Sequence, residues 1–188
     1  MWYSPGMRVL GIDPGSNFLG LGCVEAKSSS LTWIGHEVVR VREGKDVSLA
    51  ARLRAIYAGV EEAIELWKPD AVAAEEVFFA KNPQSALNLG QARGAALLVG
   101  AMRNLPIFEY SATLVKQTIT GSGRAEKEQV ERMVRALLGG HAKITKSFER
   151  SDASDALAVA ICHLQHRHKN SILVKAPEKR VGAAIGGR

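Results

Sequence analysis

Arg8 to Ser16 reads RVLGIDPGS, and this stretch constrains the chain more than any other, because it sets a single carboxylate where an apolar run meets a turn. Arg8 to Ile12 has the β-branched, apolar character of a buried strand, while Asp13-Pro14-Gly15-Ser16 carries turn chemistry, Pro fixing φ and Gly admitting positive φ. Asp13 is thereby predicted at a strand's carboxyl end, where open α/β sheets gather ligands. An acid there must be solvated, paired or bound to a cation. A lone Asp-Pro-Gly also serves as an ordinary turn, so its meaning depends on whether other acids arrive at comparable places.

With 188 residues, 46% of them hydrophobic, the chain can bury one good core and is short for two. We expect a leader over 1–6, a single α/β domain over 7–169, and a basic, disordered tail over 170–188. The net charge of +6 and a pI near 9.5 favour a polyanionic partner such as nucleic acid. Cys23 and Cys162 are far apart, with no CxxC or Cys/His cluster, which argues against a disulfide framework or a zinc site and for two packed thiols. No run approaches the length of a membrane span and Met1 to Gly6 lacks signal-peptide order, so a cytoplasmic protein is expected.

Phe18 to Ala26 and Leu31 to Val41 read as two strands of an antiparallel hairpin. Gly20 and Gly22 fall on one face of the first of these and are read as ordinary bulges rather than as a seat for a neighbouring element. Ser48 to Lys68 has helical spacing, with Leu49, Leu53, Ile56, Val60, Ile64 and Trp67 as the apolar stripe, Arg52 among the solvated charges and Pro69 as the stop. Ala71 to Ala74 is a short apolar strand that ends in Glu75-Glu76, and only one of these acids can share a face with Asp13; spacing does not choose between them. Pro83 opens a helix to about Arg103, anchored by Leu87, Leu89, Leu97, Leu98 and Met102, with Ala86, Gly90 and Gly94 set for close approach of another helix; the sequence does not decide between one of the same chain, the default, and one of a partner. Ile107 to Tyr110 is a fifth strand, followed by a short helix over 113–120, a mobile Gly121-Ser122-Gly123 linker and a helix over 126–138. Ser151-Asp152-Ala153-Ser154-Asp155 opens the last helix and puts Asp152 and Asp155 on one face, where they also suit capping and dipole roles.

Asp13, one of Glu75 and Glu76, Asp152 and Asp155 thus stand at the edges of apolar elements. Gathered without a cation they would repel and raise one another's pKa. Oxygen ligands alone, with no cysteine or histidine set, suit Mg²⁺ or Mn²⁺, and two such ions can activate water on one side of a phosphodiester and stabilise the departing oxygen on the other. In a basic chain that points to a nuclease.

VLGIDPGS, EEVFFAKNPQSALNLGQARG, EYSATLVKQTITGSGRAEKEQV and SDASDALAVAICH resemble, in order and as far as about His163, the RuvC Holliday-junction endonucleases. The resemblance implies a ribonuclease H-like fold, a mixed five-stranded sheet with its first three strands antiparallel, flanked by helices. It implies a homodimer that makes paired symmetric nicks in a four-way DNA junction, leaves 5′-phosphates and cooperates with a RuvA/RuvB-type branch-migration complex in recombination and repair. By the same resemblance Asp13, Glu75, Asp152 and Asp155 are the catalytic, metal-holding acids, which selects Glu75 over Glu76. Phe78, with Phe79 beside it, matches a base-stacking aromatic, and Lys116 and Lys127 match lysines near the scissile strand. Lys81 and Arg124, and Arg93 with them, are further candidates for phosphate contact. His163, two turns beyond Asp155, is read as structural.

Two other readings compete. Actin-like ATPases and sugar kinases open with a similar strand and Asp-x-Gly turn, but they need two lobes and a second nucleotide-binding turn, for which this chain is too short. A junction-binding protein without cleavage would not need all four acids.

Overall fold

The computed structural model describes residues 6–15, 17–28, 30–42, 48–76, 83–139 and 151–166. Strands β1 (Met7–Pro14), β2 (Phe18–Lys27) and β3 (Ser30–Arg40) form the predicted antiparallel start. Helix α1 (Leu49–Trp67) and β4 (Ala71–Glu75) follow, then α2 (Pro83–Met102) and β5 (Ile107–Tyr110). Helices α3 (Ala112–Thr120), α4 (Lys127–Leu137) and α5 (Ser151–His166) complete the described chain. The sheet order is β3-β2-β1-β4-β5, antiparallel among the first three strands and parallel from β1 to β4 and from β4 to β5. This is the mixed five-stranded sheet expected from the sequence. Of the leader expected over 1–6, residues 1–5 lie outside the described residues, as does the chain from 167 to 188, while Gly6 is described and donates its N–H to the Ala26 carbonyl at 3.1 Å.

Strand alternation divides the core in two. Leu10, Ile12, Leu19, Leu21, Val72 and Ala74 face α1 and α2. Val9, Val24 and Ala73 face the other way, toward α3, α4 and α5. Helix α5 is apolar all round from Ala156 to Cys162 and is buried throughout that run, as a helix packed between a sheet and other helices must be.

The seat for α5 is made of glycine. A Cβ at Gly11 would overlap the Ala156 carbonyl, one at Gly20 the Asp152 carbonyl, and one at Gly22 would meet Leu157 Cγ at 2.7 Å. Gly20 and Gly22 are therefore not bulges: both pair in regular register with β1, and the irregularity in β2 lies between Cys23 and Val24. Gly11→Ala is expected to cost about 2–3 kcal/mol in denaturant unfolding, because the obstructing atoms are backbone and cannot rotate aside.

Three further expectations need correction. Arg52 is buried, not on a solvated face, and donates from Nη1 to Asn88 Oδ1 at 3.2 Å, tying α1 to α2. Leu87, Leu98 and Met102 are exposed rather than anchoring α2; Ala92, Ala96, Val99 and Gly100 are its buried positions, and nothing stands within 4 Å of a Cβ placed at Gly90 or Gly94. The small-residue series thus meets no helix among the described residues.

The third concerns Gly121-Ser122-Gly123, which is a hydrogen-bonded turn rather than a mobile linker. Gly121 takes φ +81°, which favours glycine, and donates to the Gln117 carbonyl at 2.9 Å. Gln117 returns its amide to the Gly121 carbonyl at 2.7 Å and accepts from the Gly123 N–H at 3.0 Å. These bonds fix the start of α4 against the end of α3.

Candidate active site

Asp13 and Glu75 reach one spot because of register. β1 and β4 run parallel with Ile12 beside Ala74, so Asp13 and Glu75 follow side by side at the carboxyl ends of both strands. Parity puts Asp13 with Gly11 and Glu75 with Ala73 on the α5 face. Glu76 extends the β4–β5 ladder by donating its N–H to the Tyr110 carbonyl at 2.8 Å, which turns its side chain to the opposite face. The choice that spacing alone left open thus follows from the register.

The third segment is the first turn of α5. Its Asp152 backbone rests on Gly20, which pairs directly with Asp13 across β1 and β2. Asp152 and Asp155 are both half-buried, as are Asp13 and Glu75. Ser154 is fully buried and donates to the Ser151 carbonyl at 2.9 Å, which steadies the turn that carries the two aspartates.

The electrostatics are those of crowded anions. Burial first, then the charges of Asp155, Glu75 and Asp152, push the Asp13 carboxyl up to about 8. Glu75 is raised by burial and by Asp155, against the pull of Lys116 and Lys127. Asp155 is raised by burial and by Asp152 and Glu131, although Lys127 pulls it down. Lys127 Nζ stands 2.5 Å from Asp155 Oδ2; burial works against its charge, but that bond and the neighbouring acids outweigh it and raise its pKa. Glu75, Lys116, Lys127 and Asp155 line a cleft of about 300 Å³ walled by Val115 and Val130.

Among the described residues, no three acidic, imidazole or thiol side chains converge closely enough, as placed, to clasp an ion. The donor set nonetheless fits hard divalent cations: four carboxylates from three segments, mutually repelling, with one of them held by a lysine.

The remaining candidates divide. Lys116 and Lys127 join the acids through the α3–α4 turn, and Arg124 is exposed on that turn. Arg93 does not join them; it pairs with Glu109 of β5. Phe78, Phe79 and Lys81 lie outside the described residues. His163 is buried in the core, its Nδ1 2.7 Å from the Tyr110 hydroxyl and its ring 4.3 Å from that of Phe108, in keeping with a structural role. Both cysteines are buried, and burial pushes the Cys23 thiol up to about 12 and the Cys162 thiol up to about 11. Glu131 is a residue the sequence reading missed: it acts on Asp155 and accepts from Arg135 Nη2 at 2.8 Å. The signal was the 127, 131, 135 spacing, which sets three alternating charges on one face of α4.

The sequence profile of the family described as "Crossover junction endodeoxyribonuclease RuvC" matches residues 9–163. A RuvC from Pectobacterium carotovorum is 45% identical over 178 residues, covering 95% of this chain and 96% of its own. Two structures of Thermus thermophilus RuvC, one of them "in complex with Holliday junction substrate", are each 36% identical to this chain. They superpose with TM-scores of 0.74 and 0.77, the latter for the complex, and each covers 87% of this chain and 96% of its own. With the profile spanning most of the sequence, and a relative of this identity aligned nearly end to end, the chain belongs to the RuvC family of crossover junction endodeoxyribonucleases.

Proposed function

We propose that the chain resolves four-way DNA junctions by paired, symmetric nicks, and that Asp13, Glu75, Asp152 and Asp155 are the catalytic acids that hold its divalent ions. The observation that carries this reading is the meeting of three segments at one sheet edge, with the Asp13 carboxyl pushed up to about 8 by burial and its acidic neighbours. When bound, a pair of Mg²⁺ ions, with Mn²⁺ able to substitute, supplies an activated water and stabilises the departing oxygen.

The chain's own residues do the rest. Asp13, in the middle of the group, is placed to orient ligands on either side of it. Lys116 and Lys127, at a cleft between α3, α4 and α5, are placed to neutralise the phosphates of the strand being cut, and Arg124 extends that charge along the α3–α4 turn. Phe78 and Phe79 are assigned to stacking on unpaired bases at the junction, and Lys81 to a phosphate. Products would carry 5′-phosphates, and resolution would serve recombination and repair in the cytoplasm.

Nicking two opposed strands calls for two copies of this site. The outer face of α2, with Leu87, Leu98 and Met102 exposed and open space over Gly90 and Gly94, supports a homodimer built through that helix. Cooperation with a RuvA/RuvB-type branch-migration complex rests on the family resemblance alone. Among the described residues no helix is long and apolar enough to cross a membrane.

The deciding experiment is a nicking assay on a labelled four-way junction in Mg²⁺ and in EDTA with the cuts mapped. Symmetric metal-dependent nicks support the reading, and metal-independent or unpaired cuts refute it. In salt titrations of junction binding, Lys116→Ala is expected to weaken affinity and lower the slope of log K against log salt by about 1. An unchanged slope would remove Lys116 from the phosphate contacts.

A further inference from the structure

We propose that Lys127 is the resident counter-cation of the four-acid site. In the metal-free protein it holds Asp155; it must release that carboxylate before a divalent ion can use it, and its ammonium then turns to the phosphate at the mouth of the cleft. The proposal rests on the reading of Asp13, Glu75, Asp152 and Asp155 as metal ligands.

The pair is built asymmetrically. Lys127 Nζ and Asp155 Oδ2 are 2.5 Å apart, yet the Asp155 side chain is 21% exposed and that of Lys127 is 51% exposed. The anion stands on a helix seated on the sheet, while the cation is the more exposed partner of the pair. The charge of the same ammonium also reaches Asp13 and Glu75. One flexible group therefore offsets several of the acids at once.

The surroundings favour this exchange. Lys127 is the first residue of α4, four residues after the hydrogen-bonded Gly121 to Gly123 turn, and its side chain is half-exposed. Glu131, one turn further on, is engaged by Arg135 and so does not draw Lys127 away. The cleft that Lys127 shares with Lys116 and Glu75 has apolar walls at Val115 and Val130, and its other carboxylate, Glu75, is one the ion would itself engage, so a displaced ammonium is directed outward. Metal and DNA then assist each other: the ion frees the lysine and the phosphate receives it.

The test is Mn²⁺ titration of the full chain without DNA, read by the electron paramagnetic resonance of free Mn²⁺. Lys127→Met is expected to bind Mn²⁺ about 5- to 10-fold more tightly than the wild type. Lys116→Met, which removes a charge from the same cleft but no ion pair to Asp155, should give a clearly smaller gain. Equal gains in both variants would reduce the effect to a general field and overturn the proposal, as would unchanged or weaker binding by Lys127→Met. Asp155→Asn separates the two levels. If it leaves Mn²⁺ binding intact, the ligand assignment itself is wrong; if it abolishes binding while Lys127→Met changes nothing, only the counter-cation role fails.

Discussion

Junction nicking by the Asp13→Asn protein is expected to fall by ~10³-fold or more while junction affinity is retained. Asp13 feels the charge of each of the other three acids, so its carboxylate is the one whose loss disturbs every member of the proposed ligand set. The charges proposed to neutralise phosphate, Lys116, Lys127 and Arg124, come from α3, α4 and the turn between them, and the substitution leaves them in place. Asn is nearly isosteric with Asp, which separates chemistry from packing. The measurement is single-turnover nicking of a labelled junction beside a gel-shift titration. Cleavage within tenfold of the wild type would refute the role given to Asp13, and parallel loss of binding and cleavage would mean that the fold had been disturbed.

The second large effect concerns stability without metal. In the unfolded chain Asp13 loses its proton near 3.8, and in the folded chain near 8. Between these values the native state holds more protons than the unfolded one, so stability falls as pH rises through the window. Glu75 and Asp155 are raised as well and act in the same direction. The raised Lys127 contributes stability that is lost only at alkaline pH. In EDTA, Asp13→Asn is therefore expected to melt about 4–8 °C above the wild type at pH 8, and level with it near pH 4. That corresponds to about 2 kcal/mol, after discounting for the solvent that reaches the cleft. Mn²⁺ should raise the melting temperature of the wild type more than that of the variant. A wild type whose metal-free stability is flat from pH 4 to 8 would contradict the crowding of charges at this site.

Much of this arrangement was legible in the sequence because period and punctuation agree there. The run ending in Asp13, the polar turn between β2 and β3, and the helical spacing of α1 closed by Pro69 each mark an element by local chemistry. What escaped depends on contacts distant in sequence. Arg52 reads as a surface charge until α2 brings Asn88 to it. Gly20 and Gly22 read as weak points in a strand until α5, more than a hundred residues later, comes to rest on them. The α2 leucines look like anchors because the run from Gly94 to Met102 is apolar on every side and gives no phase, and only packing shows that Ala92, Ala96 and Val99 are the buried positions. Gly121 to Gly123 has a linker's composition, but Gln117 binds it from within the preceding helix, a side-chain bond that composition does not show. At the site, Asp13 stands out from its turn alone, whereas the choice of Glu75 over Glu76 needs either the family resemblance or the β1–β4 register.

The glycine seat under α5 has one more consequence. Where side-chain tips meet, a neighbouring rotamer can absorb a small displacement, but at Gly11 and Gly20 the contact is main chain against main chain. The gap between the strand that bears Asp13 and the turn that bears Asp152 and Asp155 is therefore as stiff as the peptide backbone. The bite of the site on its cargo is set by that gauge, and drift elsewhere in the hydrophobic layers can proceed without resetting it.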